Sequence, residues 1–371
     1  MRTASLTEPN AAPPERRPRP RLAVILIHYH TPDLAAEALA ALRSDLDGSG
    51  IQAEKTEWLL VDNGSDARER ALLERLPAER IDPGANLGYA GGVNLGAARS
   101  TAEVLILMNP DVLVLPGCVP ALLERLESGA AVAGPAFWWD RGRRMLLPPA
   151  EERTRSAELV SVLAARKARH RWRRHARQHW EAREPLASHS LSGSLLAVRR
   201  DAWERVGTFD EGYRLFFEET DWLLRARDLG LRCEYVPAAE AVHLYSQSAS
   251  REPRAQQWFE GSARRFRERW YGARFARLLE GLGGLSRSPA ASGLREIPAA
   301  GLDLTGFPFP LWIEVSPNPT GFPAAAEFLD TPQAVWRLPD EIAERSRGAV
   351  LGVRAVNAAG QELDRWVLRT A

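Results

Sequence analysis

Three segments of this chain are apolar almost throughout and stop abruptly at polar clusters: Leu22 to His28 (LAVILIH), Glu57 to Val61 (EWLLV) and Val104 to Met108 (VLILM). A strand with one wet face alternates polar and apolar residues, so uninterrupted apolar strands belong to a sheet covered on both faces, and such sheets are mainly parallel. The cover is legible between them. Thr31-Pro32-Asp33 opens a helically spaced run from Leu34 to Leu42, and Asp62-Asn63-Gly64-Ser65-Asp66 precedes a helical stretch from Ala67 to Leu76. A short strand at Arg80 to Asp82 then leads through glycine-rich Gly84 to Asn94 into a helix ending near Ser100. Alternating strands and helices predict an α/β fold whose mainly parallel sheet is sandwiched by helices, with ligands at the strands' carboxyl ends, where the polar clusters fall.

The pattern changes at Asp140. Arg141 to Arg183 carries thirteen arginines or lysines against Glu151, Glu152, Glu158 and Glu181, and its centre, Ala164 to Trp180, reads as a basic helix. Leu191 to Val198 returns to the sheet, Glu219 to Leu229 is a helix, and Arg232 to Val236 and Ala241 to Leu244 supply the last strands. Pro253 to about Leu285 is helical, and Gly283 to Gly293 has the Gly, Ser and Pro content of a linker. Leu311 to Val315, Ala334 to Leu338, Val350 to Val356 and Arg365 to Leu368 read as short strands between turns. The expected organisation is a disordered arm (1–21), an α/β domain (22–250) with a basic helical insert (141–188), a helical extension (251–285) and a small all-β accessory domain (286–371).

Lysine plus arginine, 49, nearly balances aspartate plus glutamate, 48, so no overall charge points to nucleic acid as a partner. Cys118 and Cys233 are the only cysteines and lie far apart, which argues against a disulfide framework or zinc knuckle and fits a cytoplasmic setting. The first 21 residues lack the apolar core of a signal peptide, and no run reaches the ~20 apolar residues of a membrane span. Contact with a membrane would be peripheral.

Several residues suit chemistry, each with a plainer alternative. Asp62 can accept hydrogen bonds from a base or ribose, or it and Ser65 can cap the next helix. Asn86, Gly88, Gly92 and Asn94 offer close backbone approach and amides near a helix start, as common glycine turns also do. Asp111, after an uncharged strand, is placed to hold a hard cation with phosphate oxygens, or is a turn residue. Ser192-Gly193-Ser194 admits a ligand to the backbone or marks a bulge. Glu218, Glu219 and Asp221 open a helix, complementing its dipole or providing a general base whose neighbours raise its pKa. His243 is a metal or phosphate ligand, or a structural histidine. Trp172 and Trp180 with the basic run can bind a phosphorylated acceptor or an anionic membrane, or form a solvated face. Trp312, Phe322 and Trp336 form either a sugar-binding face or core.

Taken in order, VILIHYH, LLVDNGS, NLGYAGGVN, LMNPDV, LSGSLLAVRR, GTFDEGYRLFFEETDWLLR and VHLYSQS resemble the family-two glycosyltransferases of GT-A fold, specifically the rhamnosyltransferase-like bacterial branch. The resemblance covers Leu22 to about Ser248. It implies a metal-dependent inverting glycosyltransferase that moves a sugar, rhamnose among the candidates, from a nucleoside-diphosphate donor to a saccharide or lipid-linked acceptor in cell-surface polysaccharide assembly. Under it, Tyr29 and Asp62 lie on the base side, and Asn86, Gly88, Gly92 and Asn94 surround the nucleoside and diphosphate. Asp111 matches the last aspartate of the metal motif, His243 closes that site, and the cation is Mg2+ or Mn2+. Glu219 takes the place of the catalytic base, and Ser192, Gly193, Glu218 and Asp221 lie near acceptor or diphosphate. Two positions depart from the pattern: His30 stands where the family has Asn, and Glu218-Glu219-Thr220-Asp221 where it has EDxD. A nucleotidyltransferase would show a basic, glycine-rich first turn in place of Tyr29-His30-Thr31-Pro32. The alternative from another class is a non-catalytic sugar- or lipid-binding protein on a degenerate transferase fold.

Overall fold

The structure is a computed structural model that describes residues 21–51, 55–244, 254–283, 294–298, 301–318 and 321–370. The expected N-terminal arm, the Gly283 to Gly293 linker beyond Gly283 and the YSQS end of the last motif lie outside these residues.

The first half runs β1 (Leu22–His28), α1 (Pro32–Gly48), β2 (Thr56–Asp62), α2 (Ala67–Leu73), β3 (Glu79–Ile81), α3 (Gly88–Arg99), β4 (Val104–Met108), β5 (Val112–Val114), α4 (Cys118–Glu127), β6 (Val132–Trp138) and β7 (Leu146–Leu147). Then come α5 (Arg155–Leu163), α6 (Ala165–Trp180), β8 (Leu186–Ala187), β9 (Leu195–Arg199), α7 (Arg200–Val206), α8 (Glu218–Asp228), β10 (Cys233–His243), α9 (Ala255–Tyr271) and α10 (Ala273–Gly283). The C-terminal part holds β11 (Arg295–Glu296), β12 (Leu302–Asp303), β13 (Leu311–Ser316), β14 (Ala325–Leu329), β15 (Val335–Trp336), α11 (Asp340–Arg345), β16 (Val350–Asn357) and β17 (Glu362–Arg369).

The strand order β3-β2-β1-β4 is parallel throughout, as the unbroken apolar strands predict. Successive side chains point to opposite faces, so each of these strands serves two cores. Leu22, Val24, Leu26, Leu60, Ile106 and Met108 pack under α1 and α4, while Ala23, Ile25, Ile27, Val61, Leu105 and Leu107 pack under α3 and α8. Pro32 opens α1, whose buried stripe is Ala35, Ala38, Leu39, Leu42 and Leu46. Asp45 on the same stripe turns its carboxylate to the start of α4, accepting from the Val119 amide at 2.8 Å.

β9 runs antiparallel between β4 and β6, and β6 pairs in parallel with β10. The two last strands expected separately are one, β10, with a register shift between Val236 and Glu240. The antiparallel strand β5, unforeseen in sequence, pairs with its end, setting His243 opposite Val112. The carboxyl ends of β1, β2, β4, β6 and β10 therefore share one edge of the sheet.

The C-terminal strands join the same sheet, because β14 pairs with β7 at Ala326 and Leu146. Alternate residues of β13 again divide. Leu311, Ile313 and Val315 enter a core with Trp336, Ile342, Val353 and Trp366, while Trp312 packs with Trp172, Ala176 and Trp180 of α6. Trp180 stacks on Trp312 at 5.2 Å between centroids. The indoles of the basic helix and those of the C-terminal strands are thus core, and a free binding face built from them is excluded. Buried Glu314 lies between Arg173 of α6 (3.3 Å) and Arg354 (2.5 Å), fixing the insert to the C-terminal sheet. Short α11 interrupts what the sequence presents as strands alone.

Candidate active site

The site is assembled on the common carboxyl edge. At its β1–β2 end, Asp62 is 1% exposed and accepts the Ser65 amide at 3.0 Å and Arg80 Nη1 at 2.9 Å. Burial pushes its pKa up, but hydrogen bonds from His28, Ser65 and Arg80 prevail and hold the carboxylate well below its usual range. Asp62 organises the turn before α2 but does not cap that helix, whose N-cap is Asp66. Tyr29 is half-buried with its ring edge-on to His30 at 4.4 Å. His30 has φ +52°, a left-handed conformation that asparagine adopts more readily than histidine, and its Nδ1 lies 2.8 Å from Glu69 Oε2.

Asn86 accepts the Gly88 amide at 2.8 Å, closing the turn into α3. Gly88 has φ +74°, and a Cβ there would lie 2.5 Å from the Arg214 carbonyl oxygen, so glycine is required twice over. Asn63, not singled out in sequence, holds this turn by accepting the Leu87 amide and donating to the Gly88 carbonyl. Gly92 lets α3 lie close on Ile27, and Asn94 is engaged with Phe209 through both its carbonyl and its amide. These last two shape the site's wall, and their side-chain positions face protein.

Asp111 is 2% exposed, and its carbonyl accepts the Leu244 amide at 2.9 Å, which continues the β5–β10 ladder. That pairing brings His243 Nε2 to 3.7 Å from Asp111 Oδ1. Ser194 Oγ lies 3.4 Å from the same nitrogen, and Ser192 Oγ donates to Ser194 Oγ at 3.1 Å. Burial lowers the pKa of His243, Asp111 opposes this, and the charge of Arg345 adds to it.

Glu218 and Glu219 begin α8 directly after Phe216 and Phe217, whose φ values are +66° and +73°. Two bulky residues in the left-handed region form a strained turn, of a kind that persists only where its surroundings hold it. α9 supplies the hold: Phe217 packs on Phe259 and Phe266, Ser262 donates to the Leu215 carbonyl, and Trp270 and Arg269 meet Asp221. Asp221 is fully buried and also accepts Arg225 at 2.9 Å, so it anchors α9 on α8 and does not line the cleft.

The turn places Glu219 under Gly193, where a Cβ would stand 2.9 Å from Glu219 Cγ. Tyr89 donates to the Gly193 carbonyl at 2.5 Å. Its phenol pKa is driven well up by burial and then by the charges of Glu218, Glu219 and Asp111. Burial raises the pKa of both glutamates, and the charge of Glu219 raises that of Glu218 further. Glu218 is 4% exposed, and its Oε2 has no hydrogen-bond partner among the described residues. Arg153, over the Phe217 ring at 4.5 Å, moderates the shift of Glu219.

Comparison with known proteins gives the class and the family. The family model described as Glycosyl transferase family 2 matches residues 23–207. The N-acetylglucosaminyl-diphospho-decaprenol L-rhamnosyltransferase of Mycobacterium tuberculosis is 36% identical over 214 residues, 53% of this chain and 68% of the relative. The low-salt glycan biosynthesis hexosyltransferase Agl10 of Haloferax volcanii is 23% identical over 60% of this chain and 66% of its own. A solved structure of the mannosyltransferase PcManGT from Pyrobaculum calidifontis, with GDP-Man and Mn2+, covers 76% of this chain and 80% of its own at 16% identity and a TM-score of 0.42, too distant to transfer a contact. The chain belongs to glycosyl transferase family 2. It is a nucleotide-sugar-dependent glycosyltransferase, and its relatives include a rhamnosyltransferase.

Tyr89, Asn63 and Arg153 complete the site without having been assigned to it from sequence. Tyr89 and Asn63 sit inside the quoted motifs and were legible in principle. Arg153 lies in the basic insert, where nothing in the local pattern marks it.

Proposed function

We propose that the enzyme is an inverting, divalent-metal-dependent transferase that takes a sugar, rhamnose first among candidates, from a nucleoside diphosphate to a lipid-linked or saccharide acceptor of cell-surface polysaccharide. The observation that carries the reading is that the Ser192 to Ser194 segment joins the two parts of the site: Ser194 meets the Asp111–His243 pair, and Gly193, held by Tyr89, lies against Glu219. The relative from Mycobacterium tuberculosis, whose name specifies rhamnose and a diphospho-decaprenol acceptor, supports the sugar and the lipid-linked class.

The donor set suits a metal. A carboxylate oxygen and an imidazole nitrogen, donors of kinds that divalent cations accept, lie 3.7 Å apart, and no group of three or more protein ligands occurs among the described residues. Such a pair fits Mg2+ or Mn2+ completed by substrate phosphates. Asp111 and His243 would hold the ion, which when bound neutralises charge on the leaving diphosphate.

The chain's own residues do the rest. Asp62, with Tyr29, receives the base side of the donor, and the turn from Asn86 to Gly88 closes over the nucleoside. Ser192 and Gly193 lie along the diphosphate and acceptor. Glu219, its pKa raised by burial and its Oε1 accepting from Thr220 at 3.1 Å, takes the proton from an acceptor hydroxyl as that oxygen attacks the anomeric carbon from the face opposite the diphosphate. Inversion follows from the single displacement. Tyr89 fixes the Gly193 carbonyl over the base.

The basic insert has a further feature. Arg166, His170 and Arg174 are exposed at intervals of four residues on α6, next to exposed Lys167, and Leu163 is 61% exposed at the α5–α6 corner. No helix among the described residues is long and apolar enough to cross a membrane. A basic face with an apolar corner suits peripheral contact with an anionic bilayer, where a lipid-linked acceptor resides.

The deciding experiment is turnover and binding across dTDP-, UDP- and GDP-linked sugars, with and without Mg2+ or Mn2+, for the wild type and Glu219→Gln. Metal-dependent recognition of one donor, with turnover lost and donor binding kept in Glu219→Gln, is the expected result. Undiminished turnover in that variant removes Glu219 from its role, and donor binding indifferent to chelation removes the metal.

A further inference from the structure

The C-terminal unit reaches the site through one side chain. Arg345, at the end of α11, donates Nη1 to the Leu244 carbonyl at 2.8 Å and Nη2 to the Trp139 carbonyl at 2.5 Å. Trp139 follows the last residue of β6 and Leu244 the last of β10, and these strands are parallel neighbours. One guanidinium therefore bridges two adjacent carboxyl ends at the edge where an α/β sheet places its ligand. The Leu244 peptide continues the connection, because its amide donates to the Asp111 carbonyl at 2.9 Å. Asp111, Leu244 and Arg345 form a chain of three, with His243 one residue away.

The helix carrying Arg345 is docked independently. Arg141, just past β6, donates its amide to Glu341 at 2.9 Å and its guanidinium to Glu37 of α1, tying α11 to the turn after β6 and, through that turn, to α1. Arg144 in the same turn makes a two-point pair with Glu327 of β14, both bonds at 2.7 Å. Arg345 Nε also donates to the Glu341 carbonyl at 3.2 Å, which fixes the fork's orientation. The charge of Arg345 interacts with Asp111 and is felt at His243. A planar fork bound to two carbonyls is a task lysine cannot duplicate.

We propose that Arg345 is a positioning residue that sets the Asp111–His243 pair for the donor's diphosphate, making the C-terminal unit part of the donor site. The inference rests on the assignment of that pair to the diphosphate. It predicts an effect at the diphosphate end of the nucleotide, because the carbonyls that Arg345 holds belong to the strand ends beside Asp111 and His243.

The test is calorimetric binding of UDP and dTDP, and of UMP and dTMP, to the full chain with Mn2+ present, for wild type, Arg345→Met and Arg345→Lys, with kcat and donor KM measured alongside. Arg345→Met should weaken the better diphosphate at least tenfold and lower kcat, while its monophosphate stays within twofold, and Arg345→Lys should recover part of the loss. A folded Arg345→Met with diphosphate affinity and kcat within twofold of wild type overturns the proposal. Parallel loss of mono- and diphosphate also overturns it, showing a general structural role. If the methionine variant does not fold, the lysine variant decides on the same comparison. A wild type that binds none of these nucleotides overturns the donor reading and this inference with it, whereas wild-type binding with unchanged variants overturns this inference alone.

Discussion

Gly193→Ala is a small change with a calculable consequence. Its φ lies outside the left-handed region, so alanine brings no backbone strain. The added Cβ would stand 2.9 Å from Glu219 Cγ, 3.0 Å from its Cβ and 3.5 Å from its Cδ. Carbon atoms settle at about 3.5–4.0 Å, so something must move by about 0.6–1.1 Å. The Gly193 segment is restrained by the Tyr89 hydroxyl on its carbonyl and by Ser192 and Ser194 bonded to each other. Glu219 is the freer partner, and the displacement falls on the carboxylate. A misplacement near 1 Å at a reacting group costs up to about a hundredfold in rate. A fall in kcat of about ten- to a hundredfold is expected, equivalent to about 1.4–2.7 kcal/mol of barrier. Initial rates with the productive donor and acceptor measure it, with a thermal melt by circular dichroism to establish that the variant is folded. A folded Gly193→Ala with kcat within twofold of wild type would show that Glu219 is not the positioned base.

Two more expectations concern charge. Because burial and Glu219 raise the pKa of Glu218, the folded chain holds that proton to higher pH than the unfolded chain does, and ionisation erodes stability as pH rises through the raised value. Glu218→Gln does not titrate, so denaturant unfolding should find it close to wild type near pH 4 and about 1–3 kcal/mol more stable near pH 8; a gap that narrows with rising pH contradicts the assignment. Vesicle sedimentation should show binding to anionic but not neutral bilayers that weakens with salt, and replacing Arg166, Lys167 and Arg174 by alanine should abolish it. Equal binding to both bilayers refutes the peripheral contact.

Periodicity and local chemistry are what a sequence states directly. The apolar runs at Leu22, Glu57 and Val104 required a doubly covered sheet, Pro32 and Asp66 opened helices as their side chains dictate, and seven ordered motifs placed the family. The candidate carboxylates were legible because each stands where a strand or helix changes direction. What sequence leaves open is which of them face each other. Asp111 and His243 meet only through pairing of β5 with β10, and β5 is too short to announce itself. Asp221 and Glu219 lie in one motif, yet helical geometry turns the first into α9 and the second under Gly193. The basic helix reads as a charged surface, and only β13 and β14 reveal that its indoles are core. Arg345 is the clearest case, bonding residues 101 and 206 positions away. Local propensity is a property of neighbours in the chain, whereas a guanidinium that joins two strand ends depends on contacts formed only once the whole sheet has closed around it.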